Sequence, residues 1–138
     1  MRCVFDTDVV VAAVRSANGA SRRLLEAIHA GRLVGLISVP LLLEYEAVLS
    51  RPEHMRARGL SLDEVDAILD GLAGVMEPVV LHYLWRPLLR DGDDDMVLET
   101  AINGRATALV TFNLRDYGRW PESFGIEILR PTDCLRRL

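Results

Sequence analysis

Met1-Arg2-Cys3-Val4-Phe5-Asp6-Thr7-Asp8-Val9-Val10-Val11-Ala12-Ala13 is the stretch on which the reading of the whole chain turns. A short apolar run reaches Phe5 and stops at an acid; a second acid follows at Asp8, and the chain is then apolar again. The pattern predicts a buried strand over 2–5 and a helix from Val9 to Arg15, with Thr7 and Asp8 as favourable N-cap types. An unpaired carboxylate between two buried runs is expensive. In an open α/β sheet, the C-terminal end of a strand is also where ligands bind. Asp6 is therefore a candidate metal ligand or acid/base, and the question becomes which other acids it meets.

Outward from this strand the chain alternates between strand and helix patterns. Ser16 to Ser21 reads as a turn; Ser21 is placed as the cap of a helix over 22–30 that Gly31 ends. A second strand covers 32–38. Pro40 opens a third helix, 41–49, closed by Ser50-Arg51-Pro52. Residues 50–59 read as a mobile excursion with a short helix or loop. Ser61 and Glu64 form a capping-box pair that launches a helix over 62–72. Residues 77–82 read as a third strand or extended connection, and 90–95 as an acidic loop before a helix over 96–103. Strands follow at 108–111 and 126–129, separated by a polar turn at 112–117, with a last helix from Thr132. The economical fold is α/β: a central, mostly parallel sheet of four or five strands flanked by helices in three layers, forming one domain over 1–138.

Composition narrows the function. The 138 residues are half hydrophobic and carry a net charge of −4, which excludes a general polyanion-coating surface but not a nucleic-acid enzyme built on an acid cluster. Cys3 and Cys134 lie at opposite ends of the chain and read as reduced, buried thiols of a cytoplasmic protein; a disulfide joining the termini is the lesser alternative. No secretory signal or membrane span is read. His29, His54 and His82 are scattered without paired spacing, which disfavours zinc. Trp85, Trp120 and Tyr117 lack a strand period and read as core or surface anchors.

Four acids fall where a strand-end cluster needs them: Asp6, Glu44 within the third helix, Asp94 at a helix start and Asp116 beyond the strand ending at Thr111. Strand C-termini and the N-termini of the following helices share one sheet edge, so these residues can converge. Carboxylates packed together repel unless a hard cation neutralises them, and Mg²⁺ or Mn²⁺ prefers such oxygens. Singly, each acid has a bland reading: Asp94 and Asp8 as caps, Glu44 as a solvent-facing helix residue. Nucleophile-elbow, phosphate-loop and dinucleotide signatures are absent.

At this point the motifs carry a resemblance. Val4 to Val10, Leu43-Glu44-Tyr45 with Val48 to Pro52, Asp91 to Glu99, and Leu109 to Tyr117 together resemble the PIN domain, and within it the toxin-like PIN proteins related to VapC. The resemblance implies a Mg²⁺- or Mn²⁺-dependent endoribonuclease, the toxin of a toxin–antitoxin pair, with a cognate antitoxin and a homodimeric state. Asp6, Glu44 and Asp94 match the family's main acids; Asp94 is chosen over its neighbours because Ala101 then falls at the family's helix position. Thr111 matches the turn residue that orients the site. The chain departs from the family twice. Asp8 stands where Asn is usual, and Asn113 stands where a fourth acid is usual, leaving Asp116 as its substitute.

Metal is thus expected on Asp6, Asp94 and Asp116, with Thr111, Asn113 and Asp8 in support. Arg15, Arg22, Arg23 and Arg115 are candidates for the RNA backbone, guanidinium being suited to phosphate. Residues 50–72 are the expected antitoxin-docking surface. Two alternatives stay open: a non-catalytic PIN-like binding module, and a metal-dependent nuclease or phosphatase acting on DNA.

Overall fold

A computed structural model describes residues 1–83, 89 and 92–138, without the side chains of 58, 92 and 93. Trp85, Asp91 and the start of the acidic loop expected at 90–95 lie outside those residues. At the centre is β1 (Arg2–Phe5), whose Cys3, Val4 and Phe5 are fully buried. An apolar run without alternation suits a strand covered on both faces. Its neighbours are β2 (Val34–Ile37) and β4 (Ala108–Val110), both parallel to it; β3 (Glu77–Pro78) and β5 (Glu127–Leu129) complete the order β3-β2-β1-β4-β5. Helices flank this all-parallel sheet to give three layers.

The strand order fixes where a ligand site can form. From β1 the chain turns to β2 on one side, and later returns to β4 on the other. Between β1 and β4 the connections diverge, which opens a crevice at the strands' C-terminal ends. Register brings the two ends level: Phe5 pairs with Val110, so the next residues, Asp6 and Thr111, sit side by side.

Most elements follow the sequence pattern, with shifts at the caps. Helix α1 (Thr7–Arg15) starts two residues early because Asp6, not Thr7 or Asp8, is its N-cap. Helix α2 (Ala20–His29) is capped by Gly19; Ser21 is buried inside it. Gly31, at φ +73°, takes the left-handed conformation past its end, which a side chain resists. Helix α3 (Val39–Leu49) is capped by the Ser38 hydroxyl, with Pro40 in its first turn. Of the short helix or loop expected within 50–59, the structure has the helix, α4 (Pro52–Arg58), ended by Gly59 at φ +65°. Helix α5 (Leu62–Val75) has the expected capping box: the Glu64 amide donates to the Ser61 hydroxyl (3.2 Å) and the Ser61 amide to the Glu64 carboxylate (3.3 Å).

Helix α6 (Gly92–Asn103) begins before Met96, taking Asp94 and Asp95 into its first turn. Past its end, Gly104 is required by close approach: a Cβ there would lie 2.9 Å from the Thr100 carbonyl and 2.8 Å from Val79. The polar turn at 112–117 holds a short 3₁₀ helix (Leu114–Tyr117). Helices α7 (Trp120–Ser123) and α8 (Pro131–Arg136) complete the chain. Cys3 and Cys134 are free and buried, so the alternative disulfide is not formed. No helix among the described residues is long and apolar enough to cross a membrane.

Candidate active site

Asp6 ends β1 and begins α1, and each carboxylate oxygen has a defined partner. Oδ1 accepts the Thr7 amide at 2.7 Å, which is the N-cap bond; Oδ2 accepts the Thr111 hydroxyl at 2.7 Å. The Asp6 amide reaches across to the Val110 carbonyl at 2.9 Å, tying the two strand ends together. Thr111 is fully buried, and its oxygen accepts the Asn113 amide at 3.0 Å. A chain of bonds from the 112–113 turn therefore holds Asp6, which lines a cavity of about 620 Å³.

That cavity is lined by Asp6, Asp8, Glu44 and Asp94, so the structure brings together three of the four acids read as catalytic, and Asp8 with them. Asp8 is held differently. Its Oδ2 accepts from the Asn113 side-chain amide at 3.0 Å and from the Phe112 amide at 3.4 Å, while its Oδ1 is buried without a hydrogen-bond partner. Asn113 thus acts as a donor that orients Asp8. Asp94 is nearly buried and takes a long bond from the Tyr117 hydroxyl, 3.5 Å. Asp116 is exposed on the 3₁₀ turn and does not line the cavity, but its charge acts on Asp6 and Asp8. The side chain of Asp93 lies outside the described residues.

Electrostatics show what this arrangement costs. Burial raises the Asp6 pKa against the bonds from Thr111, Tyr117 and Thr7, and Asp116 raises it further. Asp8 is pushed up to about 7, first by burial and then by the Asp6 charge. The Tyr117 phenol is driven upward by burial and by Asp6 and Asp94, so it stays a donor. Carboxylates raised in this way are stabilised by a bound cation, and the donors here are hard oxygens, one of them an orphaned Asp8 oxygen. The residues present therefore fit a Mg²⁺-type ion. Among the described residues, no three acidic, histidine or cysteine side chains are already gathered into a cage.

A stability consequence follows for the metal-free protein. Asp8 has a folded pKa of about 7 against an ordinary 3.8. Its contribution is complete below the ordinary value and is lost as pH rises through the folded value. Between roughly pH 5 and pH 8 wild type is expected to lose about 1–2 kcal/mol from this group, discounted for solvent screening. Urea midpoints should show the loss in wild type and much less of it in Asp8→Asn; an identical pH dependence in the two proteins would reject the assignment.

The arginines divide. Arg15 lines the acid cavity. Arg22 donates to the Ala13 carbonyl at 2.7 Å and lines a separate cavity against α5. Arg23 faces a third, near α8, and Arg115 is exposed on the 3₁₀ turn. The sequence reading missed Arg51, His54 and Phe112, which also line the acid cavity, and treated Tyr117 only as an anchor. Arg51 lies past the end of α3, in the extended junction before α4, so no helical period marked it.

With this geometry in place, the comparisons with known proteins become decisive. The model of the PIN domain matches residues 2–115. The chain belongs to the PIN domain family. PIN domains are generally nucleases and generally use divalent metals. The matched span includes Asp6, Asp8, Glu44, Asp94, Thr111 and Asn113 and ends one residue before Asp116. Among solved structures, a chain of VapBC2 from Rickettsia felis, bound to a DNA fragment from its promoter, is similar to this PIN domain. The identity is 18%, the match covers 94% of this chain and 98% of that chain, and the TM-score is 0.66. At that identity the likeness speaks for the fold. No curated protein shows significant sequence similarity.

Proposed function

We propose that this PIN domain is a Mg²⁺- or Mn²⁺-dependent endoribonuclease and the toxin of a toxin–antitoxin pair. The observation that carries the reading is the convergence of Asp6, Asp8, Glu44 and Asp94 on one cavity at the point where the sheet's connections diverge. Asp6 and Asp94, with the orphaned oxygen of Asp8, are the groups that would hold the ion. When bound, such an ion polarises a phosphoryl oxygen, makes a water more acidic and offsets charge developing on the phosphodiester.

The remaining work falls to the protein. The Thr111 hydroxyl and Thr7 amide fix the rotamer of Asp6. Asn113 holds one oxygen of Asp8, and the other is buried without a hydrogen-bond partner. Glu44, which lines the cavity, would orient the attacking water and accept its proton. Tyr117 positions Asp94. Asp116 takes an outer role, acting through its charge on the inner pair. The RNA substrate and the cognate antitoxin are assigned from the resemblance to VapC-type toxins, and the fold-level neighbour, solved as a VapBC2 complex, is in keeping with a protein partner. A homodimer is proposed on the same ground.

The test uses purified protein, labelled single-stranded RNA and Mn²⁺. Cleavage that EDTA abolishes and Mn²⁺ restores is expected. Preference for single-stranded DNA over RNA would overturn the ribonuclease reading. No cleavage together with no calorimetric Mn²⁺ binding would leave a non-catalytic module.

Thr111→Val probes the support beneath Asp6. Loss of a hydrogen bond that orients a metal ligand typically costs about 10–100-fold in affinity or activity. The variant is expected to need more Mn²⁺ for half-maximal cleavage while its circular dichroism is unchanged. A wild-type Mn²⁺ dependence would show that Asp6 does not rely on this bond.

A further inference from the structure

The acid cavity has a second end. Asp8, Val11, Ala12 and Arg15 are spaced along one face of α1, so the helix lines the cavity with an acid at its start and a guanidinium at its close. Glu44 and Val48 on α3 line it too, with Arg51 in the extended junction between α3 and α4. Along α1, the seven residues from Asp8 to Arg15 rise ~10 Å. His54, from the first turn of α4, lines the same cavity. Between the two ends the floor is apolar: Val11, Ala12 and Val48. Phe112, 45% exposed, is the aromatic side chain that lines this cavity, and its backbone amide is held by Asp8.

We propose that Arg15, Arg51 and Phe112 form a subsite that positions a single-stranded nucleic acid beside the acids: the guanidiniums take a backbone phosphate away from the scissile one, and the Phe112 ring stacks on an unpaired base. The proposal rests on the nuclease reading above and adds its positioning residues. A metal-filled acid end attracts one phosphate. The cationic end, ~10 Å further along α1, is within reach of a neighbouring phosphate of the same strand. Arginine suits phosphate because its planar fork can make two bonds at once. Aromatic stacking tolerates any base but requires that base to be unpaired, so the ring selects single strands over duplexes. Neither contact reads the sugar, so RNA and DNA strands are both accommodated at this end.

The experiment measures binding of a fluorescein-labelled single-stranded RNA by anisotropy in EDTA, across a salt series. Parallel arms use DNA of the same sequence and a duplex. Arg15→Ala/Arg51→Ala is expected to weaken binding at least about tenfold and to reduce the salt slope by roughly one to two phosphate equivalents. Phe112→Ala should weaken single-strand binding about five- to a hundredfold with the salt slope unchanged and duplex binding untouched; Phe112→Trp should restore it. In Mn²⁺ both variants should raise KM more than they lower kcat. An unchanged affinity and slope in the double arginine variant, or equal loss of single-strand and duplex binding in Phe112→Ala, overturns the subsite. Wild-type RNA that binds as expected but is never cut in Mn²⁺ removes the nuclease reading and leaves the strand subsite standing.

Discussion

Asp6→Asn is expected to abolish metal-dependent cleavage while leaving the fold intact. The two effects separate because Asp6 does two jobs. As the N-cap of α1 it needs only an oxygen to accept the Thr7 amide, and Asn provides one; the two residues are near-equal as caps. As an inner ligand it needs a negative charge, which Asn lacks. A bound ion supplies several kcal/mol of charge stabilisation in such reactions, so loss of an inner carboxylate is expected to lower kcat/KM by about a thousandfold or more. Meanwhile the apo protein should hold or gain stability, because burial and the nearby acids already raise the Asp6 pKa and make its charge unfavourable. Cleavage assays, Mn²⁺ calorimetry and a thermal melt check the three parts. Activity within about tenfold of wild type, with Mn²⁺ binding intact, would remove Asp6 from the centre of the site.

The same residue illustrates how far the sequence could be read. Asp6 breaks an apolar run, and an acid in that place demands a reason; the structure supplies two, the cap and the cavity. Parallel pairing was legible because β1, β2 and β4 are short apolar runs separated by helical periods; the strand order, which places β4 beside β1, was not read from the sequence. The stretch at 52–58 was left between a short helix and a loop, because proline, histidine and arginine in a short span give no clear period; it is helical, with α1 and α3 packed beside it. The early start of α6 was hidden by its acids: Gly92 to Asp95 reads as an acidic loop, although acids favour a first helical turn.

At the site, the sequence reading named Asp6, Glu44, Asp94 and Asp116, with Asp8 only in support, whereas Asp8 lines the cavity and Asp116 does not. That difference depends on side-chain direction. Asp8, two residues after Asp6, is turned inward by the Asn113 amide, whereas Asp116 sits on the exposed side of its 3₁₀ turn. The two departures from the family pattern are therefore one arrangement: the acid lies on the α1 side and its amide partner on the β4 side, 3.0 Å apart. Arg51, His54 and Phe112 escaped notice for a similar reason. They come from a helix junction and a turn, where neither period gives a face.

The largest expected loss of stability is in Tyr45→Ala. Tyr45 follows Glu44 on α3 and is fully buried, and its hydroxyl donates to the Phe5 carbonyl at the end of β1. Truncation removes a ring from a packed core and leaves that carbonyl without its bond. Large aromatic-to-alanine changes cost about 3–5 kcal/mol, and an unmet buried acceptor adds to the cavity cost. For a domain of this size the melting temperature should fall by on the order of 10–20 °C. Tyr45→Phe keeps the ring and should lose only about 1–2 kcal/mol, which separates packing from the hydrogen bond. Because the Phe5 carbonyl immediately precedes Asp6, the two variants also test whether the strand end must be held for the site to work. If Tyr45→Phe retains the fold but needs more Mn²⁺ for cleavage, the hydroxyl positions the metal-binding carboxylate through the backbone. If its Mn²⁺ dependence matches wild type, Tyr45 acts in packing alone, and the placement of Asp6 rests on Thr7, Thr111 and the Val110 carbonyl.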